Sequence, residues 1–211
     1  MKIIRNLIII LIILIALGVI GLGAIEVDVD DSSLSTIVYE EDANLTDILQ
    51  AKFISLFVSG STEESSLVED IINLVIYDSI KNNINSDYDP LGDCETTECN
   101  YVIYEDYYYI NYIFAEMNDD GQLVLTVSFG TEEFIEVNTI LVLVFDVDIK
   151  LLSMSIELTL DKYYLADYEI SKTMLDRIFS KIDTENIESQ VSKGELNLEE
   201  YTYTISFSPF S

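Results

Sequence analysis

The chain has no histidine and no tryptophan, two cysteines, two prolines, and only 10 basic residues against 39 acidic ones. Each shortage removes a class of function. Without histidine, the usual base for a serine or cysteine nucleophile is missing, and no G-x-S-x-G, H-E-x-x-H or phosphate-cradling glycine loop is present. Glycoside hydrolysis needs only two carboxylates at a set separation, yet acidic residues are so numerous that the sequence singles out no pair. The chain therefore reads as non-enzymatic and without a cofactor. The few Lys and Arg are scattered among carboxylates, which excludes a phosphate-neutralising patch for nucleic acid and tight docking on an anionic lipid surface. A formal net charge of −29 reads instead as a repulsive, solubilising surface.

Against this polar background stands one long apolar run. Leu7 to Ile25 carries no charged side chain, and at about 1.5 Å per residue it matches the hydrocarbon thickness of a bilayer. Lys2 and Arg5 precede it, acidic residues follow it, and no basic residue returns until Lys52. The positive-inside rule then puts the amino terminus in the cytoplasm and the rest of the chain outside the cell. A cleaved signal peptide is the competing reading, but the run is longer than a usual signal core. The expected organisation is a transmembrane anchor over 1–25, an acidic connector over 26–33 and one extracytoplasmic α+β domain over 34–211.

Within that domain, Leu34 to Tyr39 suggests a short strand. Asn44 as N-cap and the spacing of Leu45, Ile48, Leu49, Leu56 and Phe57 predict a helix to about Val58. After a Ser-Gly-Ser break, Ser61 and Glu64 have capping-box spacing, and Leu67, Ile71, Leu74 and Val75 set a second helix to about Asn83. Asn85 to Asn100 reads as a loop. Tyr101 to Phe129 predicts a hairpin turned by Asn118-Asp119-Asp120-Gly121. Thr139 to Asp161 alternates with period two, slips phase near Lys150, and has no Gly, Pro or Asn to turn on. It is expected to be one long bent strand with a bulge. Ser171 as N-cap and the Ile170–Leu175 staple predict a third helix with Leu175, Ile178, Phe179 and Ile182 on its buried side. A shorter helix ending at Gly194 and a final strand over Leu196 to Phe207 complete the domain.

The loop concentrates the candidate sites. Cys94 and Cys99, with four residues between them, suggest a local disulfide on the oxidising side of the membrane. Two cysteines without histidine cannot supply a four-ligand zinc site. Asp87, Asp89, Gly92, Glu95 and Glu98 fall at positions 1, 3, 6, 9 and 12 of a calcium loop. Leu91 occupies the fifth position, where an oxygen ligand belongs, so a solvated acidic loop remains the simpler reading and no metal is assigned. Tyr101, Tyr104, Tyr107, Tyr108 and Tyr109 form an aromatic cluster suited either to sheet packing or to gripping a partner.

From Leu158 the order is strand end, Tyr163-Tyr164-Leu165-Ala166-Asp167-Tyr168, then Glu169-Ile170-Ser171 and a helix containing Leu175 and Ile178. With the amino-terminal anchor, an early helix and a hairpin before it, this order resembles the YpmS-type family of small membrane-anchored extracytoplasmic proteins of Gram-positive bacteria. The resemblance implies no catalytic residues. It implies a long helix against a strongly curved antiparallel sheet, a look similar to tubular lipid-binding domains. Leu74, Leu143, Phe145, Ile156, Leu158 and Ile178 would then line an apolar interior able to hold a lipid. The alternative expectation is a solid-cored interaction domain that binds a surface protein or glycan through the Tyr101–Tyr109 face and the Cys94–Cys99 loop.

Overall fold

The computed structural model describes residues 45–59, 64–89, 97–105, 108–131, 137–150, 152–173, 195–197 and 200–206. The predicted anchor over 1–25, the connector over 26–33, the strand over 34–39 and most of the third helix lie outside these residues. No helix among the described residues is long and apolar enough to cross a membrane.

Two helices, α1 (Leu45–Ser59) and α2 (Glu64–Asn83), pack on one face of a curved antiparallel sheet. The sheet is built from β1 (Ile103–Glu105), β2 (Tyr108–Met117), β3 (Leu123–Thr131), β4 (Val137–Lys150), β5 (Ser155–Leu165), β6 (Tyr168–Glu169), β7 (Glu195–Asn197) and β8 (Thr202–Ser206). Strand order is β1-β2-β3-β4-β5-β8-β7, with β6 pairing β5 beside β8. The α+β architecture expected from the sequence is present, with helices on one face of a curved sheet.

Helix α1 buries Leu49, Phe53 and Leu56, one stripe at helical spacing, against Val68, Ile71, Ile72 and Leu74 of α2 and against Ala115, Leu123, Ile156, Leu158 and Ile205 of the sheet. The Lys52–Asp70 ion pair joins the two helices at their rim. Farther along α2, Ile80 leads into a second buried group with Tyr88, Val102, Ile110, Val127, Phe129, Leu141 and Leu165. Ile76 packs against both groups, so one helix spans the whole core. Each fully buried large side chain contributes about 1.5–3 kcal/mol.

The expected single strand over Thr139–Asp161 is corrected. Val137–Lys150 and Ser155–Leu165 are two antiparallel arms, with Lys150 opposite Ser155 and Ile149 opposite Ile156. This register places the odd positions of β4 and the even positions at the start of β5 on one face, which explains the phase slip without a bulge at Lys150. The turn does without Gly, Pro or Asn because Met154 itself takes the left-handed conformation, at φ 49°, a placement that costs a non-glycine residue about 1–2 kcal/mol. Ser153 Oγ donates to the Lys150 carbonyl and meets Ser155 Oγ at 2.7 Å, and Lys150 pairs with Glu157 at 2.6 Å. Leu152 at the tip is fully exposed.

A bulge does occur, but in β5. Val144 faces Lys162 and Phe145 faces Leu160, so Asp161 is the extra residue. It keeps Ile156 and Leu158 before it, and Tyr163 and Leu165 after it, toward the helices. Asn111 plays the same part in β2, between Ile110 opposite Phe129 and Tyr112 opposite Ser128.

Two further expectations change. The final segment is a hairpin, with Asn197 opposite Thr202 and Tyr201 left-handed at φ 54°. The predicted loop ends in a short 3-10 helix over Thr97–Asn100. The hairpin at Asn118–Gly121 is as expected: Asn118 Oδ1 accepts from the N–H groups of Asp120 and Gln122 at 3.1 and 2.9 Å, and Gly121 turns the chain at φ 79°. Lys172 begins a helical segment directly after Ser171, the predicted cap.

Candidate functional site

At the β1 end of the sheet, a tight loop carries an aromatic stack. Asn85 Nδ2 donates to the Tyr101 carbonyl at 2.7 Å, while Asn85 Oδ1 accepts from the Asp87 N–H at 3.0 Å. The Asp89 N–H donates to the Cys99 carbonyl at 2.9 Å, and Val102, fully buried, donates to the Ile110 carbonyl at 2.9 Å. The end of α2, the 3-10 helix and β1 are thereby locked together below Tyr101.

The Tyr101 ring lies 5.6 Å from Tyr104 at an interplanar angle of 21°, and 5.2 Å from Tyr109 at 43°. Both spacings fall within the range in which aromatic pairs attract. Tyr104 and Tyr109 are directly opposite in the β1–β2 register. Tyr109 then reaches across Gly130 and donates its hydroxyl proton to Asn138 Oδ1. Gly130 has to be glycine here, because a Cβ would collide with the Tyr109 ring and stand 2.7 Å from Asn138 Oδ1. Tyr109 is buried, and Tyr104, outermost in the stack, is 39% exposed. The result is a stepped tyrosine surface whose inner ring is immobilised and whose outer ring faces water.

Behind it, Tyr88 is buried against Tyr77 with ring centroids 6.0 Å apart, and the Lys81 ammonium lies 5.9 Å from the Tyr77 centroid. Burial, then the neighbouring Tyr77 and Asp89, push the Tyr88 hydroxyl far above the usual tyrosine range. Of the loop's acidic residues, Asp87 and Asp89 are exposed. No Lys or Arg occurs between Lys81 and Lys150.

The proposed interior residues separate between the two buried groups. Leu74, Ile156 and Leu158 are 1%, 0% and 4% exposed and belong to the group beneath α1, with Phe145 packed against it. Leu143, opposite Tyr163, packs against the other group, and Ile178 lies outside the described residues. Thr139 is buried on the same face, opposite Phe129, and its Oγ1 has no hydrogen-bond partner among the described residues.

Of the calcium candidates, Asp87 and Asp89 are exposed, while the side chains of Glu95 and Glu98 lie outside the described residues, as does Gly92. No metal-ligating group of three or more side chains is gathered among the described residues. Cys99 is in the 3-10 helix and is not a free thiol; Cys94 lies outside the described residues. From the predicted aromatic cluster, the fold brings Tyr101, Tyr104 and Tyr109 together. Tyr108 pairs with Glu105 and Thr131, the next row along, and Tyr107 lies outside the described residues.

Sequence reasoning missed Gly130 and Asn138, which fix the stack, and Asn73 and Glu69, which fix α2 to β2. Gly130 follows an alternating strand pattern that carries no hint of a ring lying across it. Asn73 was legible only as a polar residue between the apolar Ile72 and Leu74.

No protein-family model, curated protein or solved structure matches the chain.

Proposed function

We propose that this chain is a single-pass, membrane-tethered extracytoplasmic domain without catalytic activity, which binds a surface partner through the Tyr101–Tyr104–Tyr109 stack and has a solid core. Residues 7–25 supply the anchor, the charge asymmetry around them orients it, and a Cys94–Cys99 bridge would hold the loop's shape on the oxidising side. The element order read from the sequence resembles that of the YpmS-type proteins, a resemblance that implies no catalytic residues.

The observation that carries this reading is the filling of the space between helices and sheet. Leu74, Ile156 and Leu158, where an acyl chain would have to lie, are packed against Phe53, Leu56 and Ile71. Truncation tests it. In a solid core, Leu158→Ala costs about 2–5 kcal/mol, because a cavity is added to the lost transfer energy. A loss well below that range, with the fold intact, would indicate a pre-existing opening.

Thr139 favours the second reading, a lipid carrier, since a buried hydroxyl without a partner suits the polar atom of a ligand. Thr139→Val separates the two. With a solid core the substitution removes an unsatisfied group and stabilises by about 1 kcal/mol; with a carrier it weakens ligand retention.

A further inference from the structure

We propose that the open edge of β4, from Asp146 to Lys150, takes an extended peptide segment of a partner as an added strand, antiparallel to β4 and alternating between apolar and basic residues. None of the residues involved belongs to the tyrosine stack.

The edge comes from a difference in strand length. β3 begins at Leu123, opposite Phe145, while β4 continues to Lys150. In an antiparallel ladder the N–H and C=O of one residue point to the same neighbour, and the direction alternates along the strand. The Ile140 carbonyl accepts from the Ala166 N–H at the end of β5, and Lys150 closes the hairpin opposite Ser155. The even positions of β4 therefore face β5, and the odd positions face β3. Val147 and Ile149 point their N–H and C=O groups to the side where β3 has ended, and no strand among the described residues pairs with them there. On β2 the comparable groups of Ala115 are taken by Asn73. No side chain among the described residues does this for Val147 or Ile149.

The side chains select the occupant. On the inward face Val147 and Ile149 pack against the buried group beneath α1, so apolar residues set beside them extend that surface. On the outward face Asp146 and Asp148 are exposed. Gln122 Nε2 donates to Asp146 Oδ1 at 2.8 Å, a neutral amide that leaves the charge in place, and Lys150 is paired with Glu157. Basic residues opposite the two carboxylates complete cross-strand pairs. A second copy of the chain brings the same carboxylates and another net charge of −29, which opposes self-pairing. The edge is thus guarded against its own kind and complementary to a basic strand.

The test uses the full chain in nonionic detergent micelles and the labelled peptide Thr-Val-Lys-Val-Lys. In antiparallel register its Val residues lie beside Ile149 and Val147, and its Lys residues beside Asp148 and Asp146. In the free chain, after correction for intrinsic rates, the amides of Val147 and Ile149 should exchange at least about tenfold faster than that of Asp148, which faces β5. With free peptide at about ten times the Kd, exchange at Val147 and Ile149 should slow about tenfold. Followed by anisotropy, N-methylation of both Val residues, whose N–H groups face β4, should weaken binding at least about tenfold. The same change at the Lys residues, whose N–H groups face away, should stay within about twofold. Asp148→Lys, at an exposed position, should weaken binding about fivefold.

Equal protection of Val147, Ile149 and Asp148 in the free chain would mean that the edge is already filled, and would overturn the proposal. Protection that rises with protein concentration would do the same by identifying a second copy as the occupant. Undiminished binding after N-methylation of the Val residues would overturn strand addition. Equal binding of Thr-Val-Glu-Val-Glu would overturn the basic partner, and binding of neither peptide would overturn the site.

Discussion

Asn73 grips Ala115 with both ends of its side-chain amide: Oδ1 accepts from the Ala115 N–H at 2.8 Å, and Nδ2 donates to the Ala115 carbonyl at 2.6 Å. One turn earlier on the same helix, Glu69 accepts from the Met117 N–H at 3.0 Å. These bonds fall on the edge of β2 away from β3, where no strand among the described residues pairs with it, because β1 reaches only Tyr108–Ile110. Helix α2 therefore stands in for a missing strand, satisfying backbone groups that would otherwise be buried without partners or open to a second chain.

Asn73→Leu keeps the side chain's size and raises helix propensity, but leaves both Ala115 groups unsatisfied. The expected loss is about 2–4 kcal/mol in chemical denaturation, with faster amide exchange at Ala115 than at Leu125 on the next strand. An unchanged exchange rate at Ala115 would remove the clamp from the account.

The contact between Tyr109 and Gly130 yields a second expectation. Gly130→Ala forces the ring off its seat, so the Asn138 bond is lost together with the packing, at about 1–3 kcal/mol. The same variant should weaken any ligand of the Tyr104 face, although residue 130 touches no ligand. Wild-type stability in Gly130→Ala would mean that the ring does not lie where the stack requires.

Alkaline stability tests the core from another side. Burial holds the Tyr203 hydroxyl up at about 12, whereas an unfolded tyrosine titrates near 10. Between those values the unfolded chain releases a proton that the native chain keeps. Stability is therefore full below about pH 10 and falls as pH rises toward 12. Tyr88, raised further by burial, Tyr77 and Asp89, adds to the same loss. Tyr203→Phe should flatten the decline measured between about pH 9.5 and 11.5. Identical curves for the variant and the wild type would show that Tyr203 is solvated.

Much of the fold was legible because it was written in periodicity. Both helices and the apolar faces of β4 and β5 followed from spacing, the helices with their caps, and the Asn118–Gly121 hairpin from its turn residues. The hairpin at Lys150–Ser155 was not legible, since its signal was expected from Gly, Pro or Asn, and the left-handed position is taken by Met154. Backbone strain at one residue is offset by pairing along two long arms, a tertiary effect that local chemistry does not show. The closing hairpin hid for the same reason, with Tyr201 in the left-handed role. The aromatic site was visible as composition. Which tyrosines meet was not, because it depends on the Tyr104–Tyr109 register and on a glycine in a third strand.

The central claim is that the space between the helices and the sheet is filled by the protein's own side chains. Native mass spectrometry of the full chain, released from micelles under activation strong enough to strip detergent and loosely attached lipid, measures this directly. The account predicts the mass of the bare polypeptide from protein that still melts cooperatively. One lipid retained per chain at near-stoichiometric yield, and lost on Thr139→Val or Phe145→Asp in a folded variant, would contradict it.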